Sequence, residues 1–246
     1  MILLSTLWPS PATAQWINYP TPGIPRTADG KPNLTAPAPR TREGKPDLSG
    51  IWLTPSGRWL NNLAADGVEV PFTPWALALY RERQENNGKG RPSERCISHG
   101  VTDFDALGTP TKIIQTPAVT AILFEAYNHY RQIFTDGRPL PEDPQPAWLG
   151  YSVGRWEGDT FVVDTIGLND QTWLDDGGHP HSEALKLTER FTRRDFGHME
   201  IRITIDDPQA YTRPWTVTIP KEIMADTEMI EFMCENEKDL PHMVGK

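Results

Sequence analysis

The sequence predicts a mainly β domain: an antiparallel, lipocalin-like barrel or a two-sheet sandwich, with one helix and a proline-rich N-terminal arm. Three observations predict it. From Thr111 onward, apolar and polar residues alternate with a period of two through eight segments. Short glycine-containing turns, not helices, join most of these segments. Finally, 24 prolines and 19 glycines among 246 residues favour strands, turns and irregular arms over a helical bundle.

Residues 1–14 read as a signal peptide. Ile2 to Trp8 forms a short apolar run, and Ala12-Thr13-Ala14 supplies the small-x-small cleavage pattern, although the usual Lys or Arg before the run is missing. The expected location is therefore the periplasm or the medium. In an oxidising compartment Cys96 and Cys234 are expected to pair as a disulfide, with two buried thiols as the alternative.

Residues 15–50 form the arm. It contains a repeat of period 14: Pro25-Arg26-Thr27-Ala28-Asp29-Gly30-Lys31-Pro32-Asn33-Leu34 aligns with Pro39-Arg40-Thr41-Arg42-Glu43-Gly44-Lys45-Pro46-Asp47-Leu48. Proline removes amide donors and fixes φ, so neither copy suits a central strand or a helix. Each reads as a turn followed by an extended piece, laid on the domain and anchored by its leucine. A flexible linker is the alternative.

The domain proper spans 51–246 and begins with a strand at 50–53. Thr73-Pro74 opens a helix as N-cap and first residue, and Asn87-Gly88 closes it. Trp75, Leu79 and Arg83 are expected on its packing face. Strands are expected at 112–116, 119–126, 130–135, 151–156, 160–165, 185–194, 198–206 and 215–220. Short loops at Asp136-Gly137, Glu157-Gly158-Asp159 and Phe196-Gly197 make consecutive strands antiparallel. Residues 229–234 read as a last edge strand.

The net charge of −9, without a long basic run, argues against nucleic acid as a partner. No apolar stretch reaches the length of a transmembrane helix. Gly-x-Ser-x-Gly, P-loop, GxGxxG and HExxH motifs are absent, which lowers the weight of serine-hydrolase, nucleotide and nicotinamide chemistry. A small-molecule ligand is the partner expected.

Strand parity locates the candidate chemistry. Leu185, Leu187 and Phe191 share one face of their strand, so that face is the core side, and Glu189 lies on it. Extended backward, the same parity brings in His179, His181 and Glu183. A buried carboxylate needs a partner: a metal, an arginine or the histidines themselves. His179, His181 and Glu183 have the residue types of a divalent site such as zinc. Without a metal, His181, Glu183 and Glu189 are the acid–base candidates. Arg155, opposite in parity to Trp156, is expected to reach a pocket carboxylate or an anionic substrate group. Tyr151, Trp173 and Trp215 are expected to line a pocket for flat or sugar-like rings. Asp175-Asp176, beside the histidine loop, reads as an acid pair or a solvated turn.

Four strings, Lys-Pro-Asp-Leu-Ser-Gly-Ile-Trp at 45–52, Gly-Arg-Trp-Glu-Gly-Asp-Thr at 154–160, Pro-His-Ser-Glu at 180–183 and Asp-Asp-Pro-x-x-Tyr-Thr-Arg-Pro-Trp-Thr at 206–216, resemble a family of uncharacterised proteins secreted by soil bacteria, acidobacteria especially. The resemblance covers most of the chain after the leader. It implies export and a shared fold and assigns no catalytic residue. The resulting expectation is an exported enzyme that uses its His/Glu cluster for hydrolysis or elimination on a small sugar-like or aromatic compound. A lipocalin-like binding protein and an envelope interaction module are the alternatives.

Overall fold

The computed structural model describes residues 19–230. The expected leader, Cys234 with its expected bridge to Cys96, and the expected edge-strand residues after Ile230 lie outside the described residues; Met229 and Ile230 are not in a strand.

Nine strands close into a single barrel in sequence order: β1 (Gly50–Leu53), β2 (Thr111–Gln115), β3 (Val119–Phe124), β4 (His129–Phe134), β5 (Tyr151–Glu157), β6 (Thr160–Ile166), β7 (Lys186–Arg193), β8 (His198–Asp206) and β9 (Trp215–Ile223). A closed ring with an odd number of strands cannot alternate direction throughout, so one neighbouring pair must run parallel. That pair is β4–β5, joined only through Ile133↔Ser152 and Phe134↔Val153. The hairpin expected at Asp136-Gly137 is therefore not formed. Those residues instead open a long link, 135–150, which travels the length of the barrel and is stiffened by Pro139, Pro141, Pro144 and Pro146.

This topology makes the two ends unequal. Tight turns at 116–118, 158–159 and 194–197 gather at one end. At the other stand the short β3–β4 turn, 125–128, and the long connections 54–110, 167–185 and 207–214. Inside, the period-two pattern holds: Leu187, Glu189 and Phe191 on β7 and Met199, Ile201, Ile203 and Ile205 on β8 are buried. Helix α3 (Val101–Ala106) is drawn into the long-loop end with all six residues buried, and Phe104 stacks on Phe124 at 4.2 Å.

Besides the short helix α1 (Arg58–Asn61), a longer helix, α2 (Pro74–Glu85), starts and stops where its caps predict. The Thr73 hydroxyl accepts from the Ala76 amide at 3.3 Å, and Asn87 takes a left-handed φ of 53° just past the end. Its packing face matches expectation in part. Arg83 turns toward the barrel as expected and Tyr80 joins it, but Trp75 is 50% exposed and Ala76 is buried, because the small Ala76 allows the helix to approach closely.

The arm is ordered in duplicate. Arg26↔Pro32 and Arg40↔Pro46 form matching antiparallel bridges. In each copy the arginine folds over its own turn, donating to the carbonyl of Gly30 or Gly44, and clamps an aspartate in a turn next to a barrel strand, Asp226 after β9 or Asp159 between β5 and β6. The leucine anchors are unequal. Leu48 is fully buried, a contribution of about 1.5–3 kcal/mol, whereas Leu34 is half-buried against Gly197.

Candidate functional site

Glu189 is completely buried, and its partner is an arginine. Arg131 on β4 reaches across the interior and grips both carboxylate oxygens, with Nη1 2.9 Å from Oε1 and Nη2 on Oε2. The guanidinium also donates to the hydroxyls of Ser152 (3.1 Å) and Thr165 (2.6 Å), so its planar fork is well used. Two further ionisable groups complete the polar core. Asp105 on α3 is pushed up to about 7 by burial and by the charge of Glu189, and its Oδ2 has no hydrogen-bond partner. Lys221, lowered by burial, donates to the Asp105 carbonyl at 2.6 Å.

His179, His181 and Glu183 do not share a centre. His179 gives its Nδ1 proton to Asp175 at 2.6 Å, and Asp175 also accepts the backbone amides of Leu63 and His179. The ring packs among Phe72, Tyr80 and Trp215, which makes this dyad a clamp between the 62–66 and 175–179 segments. His181 has its own partners. The Ser182 carbonyl can only accept, so Nδ1 carries the proton, and Nε2 accepts from the Thr172 hydroxyl at 2.8 Å. Burial keeps His181 below its ordinary pKa, and the space beside it admits no water. Glu183 points outward and is exposed, on the rim of a cleft formed with residues 142–146. Pro180 breaks the strand before Leu185, so β7 parity does not extend back to these residues. The expected zinc-type triad is thus not assembled, and among the described residues no three His, Cys, Asp or Glu side chains are grouped to hold a metal.

Of the expected substrate-binding residues, Arg155 stands outside the barrel, 52% exposed, and pairs with Asp164 and Glu157. The inward neighbour of this string is Trp156, as the parity of β5 requires. Trp173 is buried under the Arg83 guanidinium, 4.1 Å from its centroid. Trp215 is buried beside His179 and Tyr211. Tyr151 does line a cavity.

That cavity, of about 500 Å³, lies at the parallel seam. β4 and β5 pair at one end only, so their long-loop halves diverge and the gap is walled by residues 128–132, Phe134 and 147–152. Its lining is mostly apolar and includes Trp148, Leu149 and Tyr151, with Arg131 and Ser152 as polar groups. His129 stands at its edge, its Nδ1 proton fixed on the Tyr127 carbonyl at 2.9 Å. Behind His129 comes a ring cluster: Phe104 at 5.9 Å, Tyr127 at 6.4 Å and, 4.7 Å from Tyr127, His99.

His99 forms a second buried dyad, its Nδ1 on Asp103 one helical turn later. Asp103 is incompletely satisfied. Its Oδ1 is buried without a partner, and its pKa is pushed up to about 6 by burial, against the pull of His99. Tyr127 holds the cluster in place from a left-handed backbone, φ 62°. Non-glycine residues rarely occupy this region, and together with Asn128 (φ 51°) it makes the tight β3–β4 turn. Chemically, the arrangement offers a histidine with an oriented Nε2 at a ligand-sized apolar cleft, and a carboxylate-backed histidine behind it.

Sequence reasoning passed over His99, Asp103, His129, Arg131 and Asp105. A signal existed for some of them. Alternation with Ile133 puts Arg131 and His129 on the inward face of β4, and the His99–Asp103 spacing is that of a helical turn. Comparison with known proteins adds no assignment: no family model, curated protein or solved structure matches the chain.

Proposed function

We propose that the protein is an exported enzyme that performs acid–base chemistry, hydrolysis or elimination, on a small sugar-like or aromatic compound bound in the seam cleft. The observation that carries this reading is the placement of His129 at the edge of an apolar cleft, with the His99–Asp103 dyad behind it. His129 Nε2, left free by the Nδ1 bond, is the group that takes or gives the proton. Asp103 holds His99 in one tautomer, and His99 positions Tyr127, whose carbonyl in turn fixes His129. Tyr151 and Trp148 flank the ring of the substrate. Export rests on the leader-like residues 1–14 and on the family resemblance.

The mostly apolar lining of the cleft also suits a second reading, a carrier that holds a ligand unchanged. One experiment covers both. Chromogenic p-nitrophenyl esters and glycosides are screened for turnover and for quenching of tryptophan fluorescence, with Tyr151→Ala and His129→Gln as variants. The enzyme reading expects turnover that falls by about 10²–10⁴-fold in His129→Gln while binding persists. Binding without turnover supports the carrier. Binding that Tyr151→Ala leaves unchanged removes the cleft from both.

A further inference from the structure

The opposite end of the barrel holds a larger cavity, of about 730 Å³, roofed by the second copy of the arm repeat. Its walls are the β2–β3 turn, Thr120 on β3, Thr135, Gly137 and the 154–156 segment of β5. The roof is pinned on both sides. Arg40 grips Asp159, Lys45 donates to the Gly158 carbonyl at 3.1 Å, and Leu48 is sunk in the core. The space is therefore held open by fixed points, not left by a loose loop.

The internal repeat supplies its own control. In the first copy the Thr27 hydroxyl is satisfied within the turn, by Asp29 Oδ1 at 2.5 Å and the Lys31 carbonyl at 3.0 Å. In the second copy the equivalent hydroxyl, Thr41 Oγ1, is buried without any partner, and Glu43 stands where the first copy has Asp29. Arg42 replaces Ala28 in the same turn. The two copies share backbone hydrogen bonds, Thr27 to Lys31 and Thr41 to Lys45, so the difference lies in the side chains. The copy that roofs a cavity has lost its internal hydroxyl bond and gained a guanidinium, and Thr41 and Arg42 both line that cavity. A buried polar atom without a partner is costly unless something else supplies the bond.

We propose that this cavity binds a neutral saccharide or similar polyol ring. Trp156, half-buried at its wall, is the apolar platform for the ring face, and Thr41, Thr120 and Arg42 hydrogen-bond its hydroxyls. The site is separate from the seam cleft and stands or falls independently of the acid–base reading.

The test is calorimetric titration of the full chain with glucose, N-acetylglucosamine and maltose, and with inorganic phosphate as the anionic control. At least one saccharide is expected to bind, with equal affinity in wild type and in Tyr151→Ala, which alters the lining of the seam cleft and not of this cavity. Thr41→Val is expected to weaken binding about 5-fold, the worth of one hydrogen bond. Glu43→Asp, which returns to Thr41 the carboxylate present in the first copy, is expected to weaken it similarly. Both positions lie in the arm, and an unchanged melting temperature verifies the fold. The proposal is overturned if none of the sugars binds, if only phosphate binds, or if both variants bind sugar as wild type does.

Discussion

Arg131 on β4 and Glu189 on β7 meet across the barrel interior as a bidentate pair, both almost fully buried, although their strands are not neighbours. Removing either partner strands a charge in the core. Arg131→Met and Glu189→Gln are each expected to cost about 3–5 kcal/mol in denaturant unfolding. The double variant Arg131→Met, Glu189→Leu is expected to recover most of that loss, because two neutral side chains leave nothing uncompensated. Single costs below about 1 kcal/mol would mean that the pair is hydrated in solution.

The same interior sets a pH dependence. Asp105 at about 7 and Asp103 at about 6 both lie above their ordinary 3.8. The folded state therefore keeps protons that the unfolded chain has already released. Stability contributed by the protonated carboxyls is present below about pH 4 and is lost as pH rises through 6 and 7. In urea titrations across that window, Asp105→Asn and Asp103→Asn are each expected to flatten part of the descent. Identical pH profiles in wild type and both variants would contradict the assignment.

His181 acts in the other direction. Burial holds it below its ordinary 6.5, so it is neutral when folded. As pH falls through 6.5 the unfolded chain takes up a proton that the fold refuses, and stability is lost toward acid. His181→Gln is expected to remove this acid-side loss, at the cost of the Thr172 hydrogen bond, about 1 kcal/mol at neutral pH. Curves that stay parallel below pH 6.5 would show that His181 is solvated.

The arm clamps are exposed ion pairs, and their effect is local. Arg40→Ala frees the second copy from Asp159, and Arg26→Ala frees the first from Asp226. Limited proteolysis is expected to cut each variant within its own copy, faster than wild type and faster still at high salt, while the barrel melts as before. Uncut arms in both variants would assign the anchoring to Leu48 and the backbone bridges alone.

The strands were legible because a period of two survives burial on one face: β8 runs over His198–Asp206, the span its alternation indicates. The arm repeat was legible because Lys-Pro and an acidic-Gly turn dictate the same local backbone twice. The parallel seam was not. Asp136-Gly137 is a sound hairpin signal, and it is overridden by the parity of a nine-strand ring, a property of the whole chain that no local window contains. The site failed for a related reason. Extending β7 parity through Pro180 joined His179, His181 and Glu183 to a strand they do not belong to. Their partners, Asp175 and Thr172, are fixed by loop conformation. Glu189 was placed correctly inside, but its partner lies 58 residues earlier, on a strand whose inward face was not followed.

Gly154 tests how tightly the barrel is filled. It lies on the inward face of β5, and a Cβ there would stand 2.5 Å from the Phe161 ring and 2.8 Å from Ile133 Cγ2. Gly154→Ala therefore forces a ring aside and is expected to cost about 1–3 kcal/mol. Gly158, four residues on, is a contrast: its φ of +62° disfavours a side chain, but nothing lies within 4 Å. Gly158→Ala should cost about 1 kcal/mol from backbone strain alone. Phe161→Leu distinguishes the two mechanisms. Combined with Gly154→Ala it should be less damaging than the sum of the single changes, because the alanine methyl occupies space the ring has left. Combined with Gly158→Ala the costs should simply add. Additivity in both pairs would mean that Gly154 is required for its backbone and not for the ring packed against it.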